Sequence, residues 1–120
     1  MLGKYTLDRV IRYIYNHMKY LITESQIENL IFKYLDNQDF VYMEYGINGY
    51  FLNSEKDEYA QIRFNSYWCT IDRKLMDEIV SFFSLSNIDA ISAISKWVES
   101  KTGTHYSAVD VQSDIVVYYF

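Results

Sequence analysis

The chain has 120 residues, among them 13 tyrosines, 7 phenylalanines, 2 tryptophans, a single cysteine and no proline, with 11 basic against 16 acidic side chains and a formal charge of −5. That length suits one domain spanning residues 1–120, large enough to bury a core without disulfides or a structural metal. Its longest apolar run, residues 115–120, falls far short of the ~20 residues of a membrane-spanning helix, and half the residues are hydrophobic, which excludes wholesale disorder.

Thr6 reads as the N-cap of a first helix, with Asp8 in its first turn. Leu7, Val10, Ile11, Ile14, Met18 and Leu21 recur at helical spacing, and Arg9, Arg12 and Lys19 occupy the opposite side. Thr23-Glu24-Ser25-Gln26 has the form of a capping box opening a second helix to Asp36, whose apolar face is Ile27, Leu30, Ile31, Tyr34 and Leu35. The period then changes to that of strands. Residues 40–53 read as a hairpin turning through Gly46-Ile47-Asn48-Gly49. Tyr59–Phe64 alternates so that Ala60, Ile62 and Phe64 point inward, and Tyr67–Ile71 makes a further strand of the meander.

Asp72 caps a third helix with Leu75, Met76, Ile79, Val80 and Phe83 on its apolar side. Ser86 opens a fourth, with Ile88, Ile91, Ile94, Ser95 and Val98 on one face and Gly103 beyond its end. His105–Val111 alternates weakly, and the unbroken run after Asp114 predicts a central strand covered on both faces. The expected fold is α+β: two N-terminal helices, an antiparallel meander of three to four strands, two helices, and C-terminal strands joining the sheet.

Residues 1–22 carry Lys4, Arg9, Arg12 and Lys19 against Asp8, whereas the remainder holds seven basic and fifteen acidic residues. An acidic body repels nucleic acid and anionic membrane and attracts basic surfaces. The lone Cys69 fits a reducing compartment, and the charged N-terminus lacks the apolar stretch of a signal peptide, so a cytoplasmic location is expected. Phe, Tyr, Met, Ile, Asn and Lys make up 51 of the 120 residues, against 12 for Gly, Ala, Arg and Pro. That bias follows AT-rich codons and fits a low-GC bacterium, a phage or another mobile element.

Catalytic patterns are sparse. Cys69 with His105 or His17 is the one thiol–imidazole combination open to the chain, and Cys69 lies in an apolar strand where a thiol serves as a small hydrophobe. Neither H-x-x-x-H nor C-x-x-C occurs, so no metal is expected. Glycines 3, 46, 49 and 103 build no phosphate loop, so no nucleotide cofactor is expected either. The strand on which a metal-dependent nuclease would carry its acid-x-Lys triplet reads Gln61-Ile62-Arg63, without the carboxylate.

Tyrosine is the distinctive residue. Tyr42, Tyr45, Tyr50 and Tyr59 stand beside Glu44, Glu55, Asp57 and Glu58, a combination suited to docking on a basic protein surface. The expected function is therefore a non-enzymatic protein-binding module, an inhibitor, adaptor or immunity-type factor that occludes a basic partner. One alternative is a nucleic-acid-associated regulator using Arg9, Arg12 and Lys19. A second is a small enzyme built around Cys69 or His105. The C-terminal strand also allows pairing with a second copy of the chain.

Overall fold

The computed structural model describes residues 9–12 and 24–119. Residues 9–12 are helical, and Ile11 lies in the core as its position in the periodic pattern requires. Thr6, Leu7, Ile14, Met18, Lys19, Leu21 and the capping residue Thr23 lie outside the described residues. Three further helices follow: α1 (Glu24–Asp36), α2 (Arg73–Phe83) and α3 (Asn87–Thr102). The strands are β1 (Val41–Tyr45), β2 (Asn48–Leu52), β3 (Tyr59–Ala60), β4 (Ile62–Phe64), β5 (Trp68–Asp72), β6 (Ala108–Gln112) and β7 (Ile115–Val116). The fold is α+β. None of the described helices is long and apolar enough to cross a membrane.

β1 and β2 form the expected hairpin, joined by a two-residue turn in which Gly46 takes the positive φ of 61° that a II′ turn needs at its first central position. The five-stranded sheet runs β1-β2-β4-β5-β6. Its first four strands are an antiparallel meander, but β6 lies parallel to β5. Parallel neighbours require a long crossover, and α2 and α3 supply it.

The helices are capped as their sequences predict. Asp72 accepts from the backbone N–H groups of Lys74 (3.1 Å) and Leu75 (3.3 Å), and the Ser86 hydroxyl accepts from Asp89 N–H (3.1 Å). Gly103 closes α3 at φ 73°. The buried side of α3 shares Ile94 and Val98 with the expected face but is rotated away from Ile88. Ala90, Ala93, Ile94, Trp97 and Val98 are buried, whereas Ile88 is 80% exposed. The small alanines permit close approach, and Trp97 fixes the rotation of the helix by donating its Nε1–H to Asp36 Oδ1 at 2.9 Å.

Alternation divides the sheet into two faces. Phe51, Ile62, Phe64, Cys69 and Ile71 belong to the large core under the helices. Tyr50 and Leu52, with Val41, Met43 and Tyr45 against them, belong to a second apolar cluster closed by Ala60, Ile115 and Val117. The strand expected over Tyr59–Phe64 is broken at Gln61. Phe51 pairs with Ile62 and also accepts from Gln61 N–H at 2.9 Å, so two residues oppose one. This is a β-bulge, and the extra residue reverses the side-chain alternation. Ala60, Ile62 and Phe64 are all buried, but Ala60 faces the second cluster and the other two face the first.

Beyond the bulge β3 leaves the main sheet and pairs with β7, Tyr59 opposite Val116 and Ala60 opposite Ile115. The run from Asp114 is thus not a central strand. Asp114 turns the chain at φ 56°, Ile115 and Val117 point inward, and Val116, Tyr118 and Tyr119 are exposed. An apolar run covered on one side only behaves as a half-buried edge despite its composition.

Candidate protein-binding surface

The β3–β7 ribbon sits over the hairpin and gathers the acidic turn that follows it. Within that turn, Asp57 accepts from Ser54 N–H (3.0 Å) and from the Ser54 hydroxyl (2.6 Å), which fixes the loop through its own side chains. Tyr119 reaches across and donates its hydroxyl to the carbonyls of Asp57 (2.5 Å) and Glu55 (3.3 Å). Its ring lies edge-on to Tyr45 at 4.9 Å between centroids, and Tyr45 in turn packs on Tyr50 at 6.2 Å. Val117 N–H donates to Glu58 O at 3.0 Å, continuing the ladder beyond the paired strand residues. Partial desolvation, with Tyr45 and Asp57 beside it, holds the Tyr119 phenol above its ordinary pKa.

The outcome is a tyrosine surface edged by carboxylates. Tyr59, Val116, Tyr118 and Tyr119 are exposed on the ribbon, with Glu55, Glu58 and Asp114 exposed around them and Asp57 half-buried. Lys56 is the cation of that turn. Of the residues picked out by sequence, Glu55, Asp57, Glu58 and Tyr59 come together here, with Tyr45 half-buried beneath.

Tyr50 does not belong to this surface. It is 0% exposed, its ring inside the second cluster and its hydroxyl accepting from Tyr118 N–H at 3.5 Å. It shares composition and strand with surface residues, but its side of β2 is the one the ribbon covers. Tyr42 and Glu44 are exposed on the opposite face of β1, where the Tyr42 hydroxyl donates to Glu44 Oε1 and its ring packs on Phe51 (5.5 Å) and Phe64 (5.9 Å). Burial, followed by the hydrogen bond to Glu44, pushes the Tyr42 phenol up to about 12. The hairpin therefore presents two separate surfaces rather than one.

Val116, Tyr118 and Tyr119 escaped the sequence reading because they lie in a run that resembled a buried strand. Their signal was the in–out order of Ile115, Val116, Val117 and Tyr118 immediately after a turn-forming aspartate.

The other sequence candidates are placed as follows. Arg9 and Arg12 line a cleft with Lys74, but Asp77 and Glu78 share it, so the local field is mixed rather than basic. Arg12 stacks its guanidinium 4.4 Å from the centre of the Phe82 ring, and Lys19 lies outside the described residues. Cys69 is fully buried, and burial, with Asp110 and then Glu99 adding to it, pushes its thiol from 9.0 up to about 12, far from the thiolate a nucleophile needs. His105 is 87% exposed and sits with Nδ1 3.0 Å from Glu99 Oε1. Among the described residues no three His, Cys, Asp or Glu side chains converge as metal ligands. No known protein family, curated protein or solved structure matches the chain.

Proposed function

We propose that the protein is a non-enzymatic binding module whose β3–β7 ribbon docks on a basic surface of another protein, in the manner of an inhibitor, adaptor or immunity-type factor that occludes what it covers. The observation that carries this reading is the grouping of Tyr59, Val116, Tyr118 and Tyr119 with Glu55, Glu58 and Asp114 on one exposed ribbon. Tyrosines provide a large contact area with few rotatable bonds, and a rim of carboxylates steers a cationic partner into place. Self-association through the same patch is disfavoured, because two copies would bring like charges together.

The test is affinity capture on immobilised protein from its native host, at low and at high salt, beside Tyr118→Ala and Glu58→Lys. The expected result is a partner of basic surface charge whose capture falls with salt. Each substitution should weaken it about tenfold or more, with unchanged thermal melts. Equal capture by wild type and both variants, or a captured protein with an acidic surface, refutes the assignment.

A further inference from the structure

The face of the sheet opposite the helices is covered by the ribbon only over the hairpin. Over β4, β5 and β6 it opens into a groove of about 330 Å³ whose lining includes Asn48, Arg63, Trp68, Thr70, Asp110 and Gln112. The strand registers place Arg63 opposite Thr70 and Thr70 opposite Asp110. A cation, a hydroxyl and a carboxylate thus stand in one row across three neighbouring strands.

Three features of that row point to a ligand. Arg63 and Asp110 are held apart by the intervening strand, and among the described residues Arg63 has no ion-pair partner. Thr70 lines the groove, and its hydroxyl, which has no side-chain hydrogen bond among the described residues, is open to a ligand there. Asp110 uses Oδ1 to accept the Trp68 indole Nε1–H at 2.9 Å, which fixes the half-exposed ring beside the row and leaves Oδ2 for another donor.

Two strand spacings put the Arg63 and Asp110 backbones about 10 Å apart. The Arg63 side chain is long enough to span much of that gap, so a ligand that bridges its guanidinium and the Asp110 carboxylate needs its own opposite charges only a few ångströms apart. That is the scale of a carboxylate and an ammonium on one small molecule. A ligand of single charge would leave either Arg63 or Asp110 desolvated without a partner, which is costly.

We propose that the groove binds a small zwitterion of the α-amino-acid type. Its carboxylate lies on Arg63 and Thr70, its ammonium on Asp110 and its side chain against Trp68. The site is separate from the ribbon surface and does not depend on it.

The experiment titrates ¹⁵N-labelled protein with L-leucine and L-glutamine, and then with the other standard amino acids, following the indole N–H signals of Trp68 and Trp97. The expected result is a saturable shift at Trp68 and none at Trp97, whose indole is held by Asp36 on the helix side. Acetate or methylammonium alone should bind about tenfold more weakly or worse. Arg63→Gln and Asp110→Asn should each weaken binding about tenfold or more, the second while keeping an oxygen to accept the indole N–H. If Arg63→Gln melts early, Arg63→Lys replaces it, since it keeps the charge but loses the two-pronged geometry. Absence of a saturable Trp68 shift with any amino acid, acetate binding as well as the amino acids, or wild-type affinity in folded variants overturns the proposal.

Discussion

Gly49 offers a sharp test of how tightly the helix-side core is packed, because the alternatives differ in sign. It pairs with Phe64 across β2 and β4, and a Cβ added there would lie 2.6 and 2.7 Å from the Phe64 Cε atoms, with Cζ closer still. The Phe64 ring cannot swing away freely. It is enclosed by Tyr42 at 5.9 Å, Phe51 at 5.7 Å and Tyr106 at 6.0 Å between centroids. Gly49 has no positive φ that would demand glycine. On backbone grounds alone, then, Gly49→Ala should stabilise the fold by about 0.5–1 kcal/mol. Overpacking of an enclosed ring costs about 1–3 kcal/mol and outweighs that gain, so a net loss of about 1–2 kcal/mol is expected. Urea unfolding measures it: the midpoint should fall with an unchanged m-value. Adding Phe64→Leu should reduce the penalty of the alanine, since the two side chains are directly coupled. A Gly49→Ala protein as stable as wild type, or more so, would refute the view that the glycine exists to seat this ring.

Two other outcomes follow from local contacts. Asp72→Ala removes the acceptor for two N–H groups at the start of α2 and should cost about 1 kcal/mol by thermal or urea unfolding, whereas Asp72→Asn or Asp72→Ser should recover most of it. Cys69 and Tyr42 both have folded-state pKa values of about 12, above their unfolded values near 9 and 10. Between pH 9 and 12 the unfolded chain therefore binds fewer protons than the folded one. Stability should be full below pH 9 and fall as pH rises through this window, by up to about 1.4 kcal/mol per pH unit for the buried Cys69 and by much less for Tyr42, which is 46% exposed and screened by solvent. Urea midpoints measured across that range should decline, and native Cys69 should resist thiol alkylation at neutral pH. Flat midpoints or rapid labelling would contradict its burial.

Much of the fold was legible because helix periodicity and capping chemistry are local. The face of α1 and the Asp72, Ser86 and Gly103 caps follow from residue spacing and identity alone. What was not legible depends on tertiary choices. The buried side of α3 follows from where two alanines allow close packing and where Trp97 finds Asp36, and no period reports either. Gln61 carries no turn signal, yet as a bulge it transfers Ala60 from one apolar cluster to the other. Tyr50 and Tyr59 are alike in sequence, and only the ribbon's position makes one core and the other surface. The grouping of acids with Tyr59 was readable from proximity along the chain. The contribution of Val116, Tyr118 and Tyr119 required knowledge that β7 returns more than fifty residues later to lie on β3.

The separation of the two apolar clusters has a consequence for how such a chain can change. The helices and the inner face of the meander form one interior, while the ribbon and the outer face of the hairpin form another, with the backbone of the sheet as a wall between them. Side chains displayed on the ribbon stand over the smaller interior alone, so substitutions there strain few groups that the helices rely on. Close packing transmits a volume change to its immediate neighbours, and the wall limits how far it spreads. The proposed docking surface can thus be rewritten residue by residue while the scaffold behind it keeps its stability.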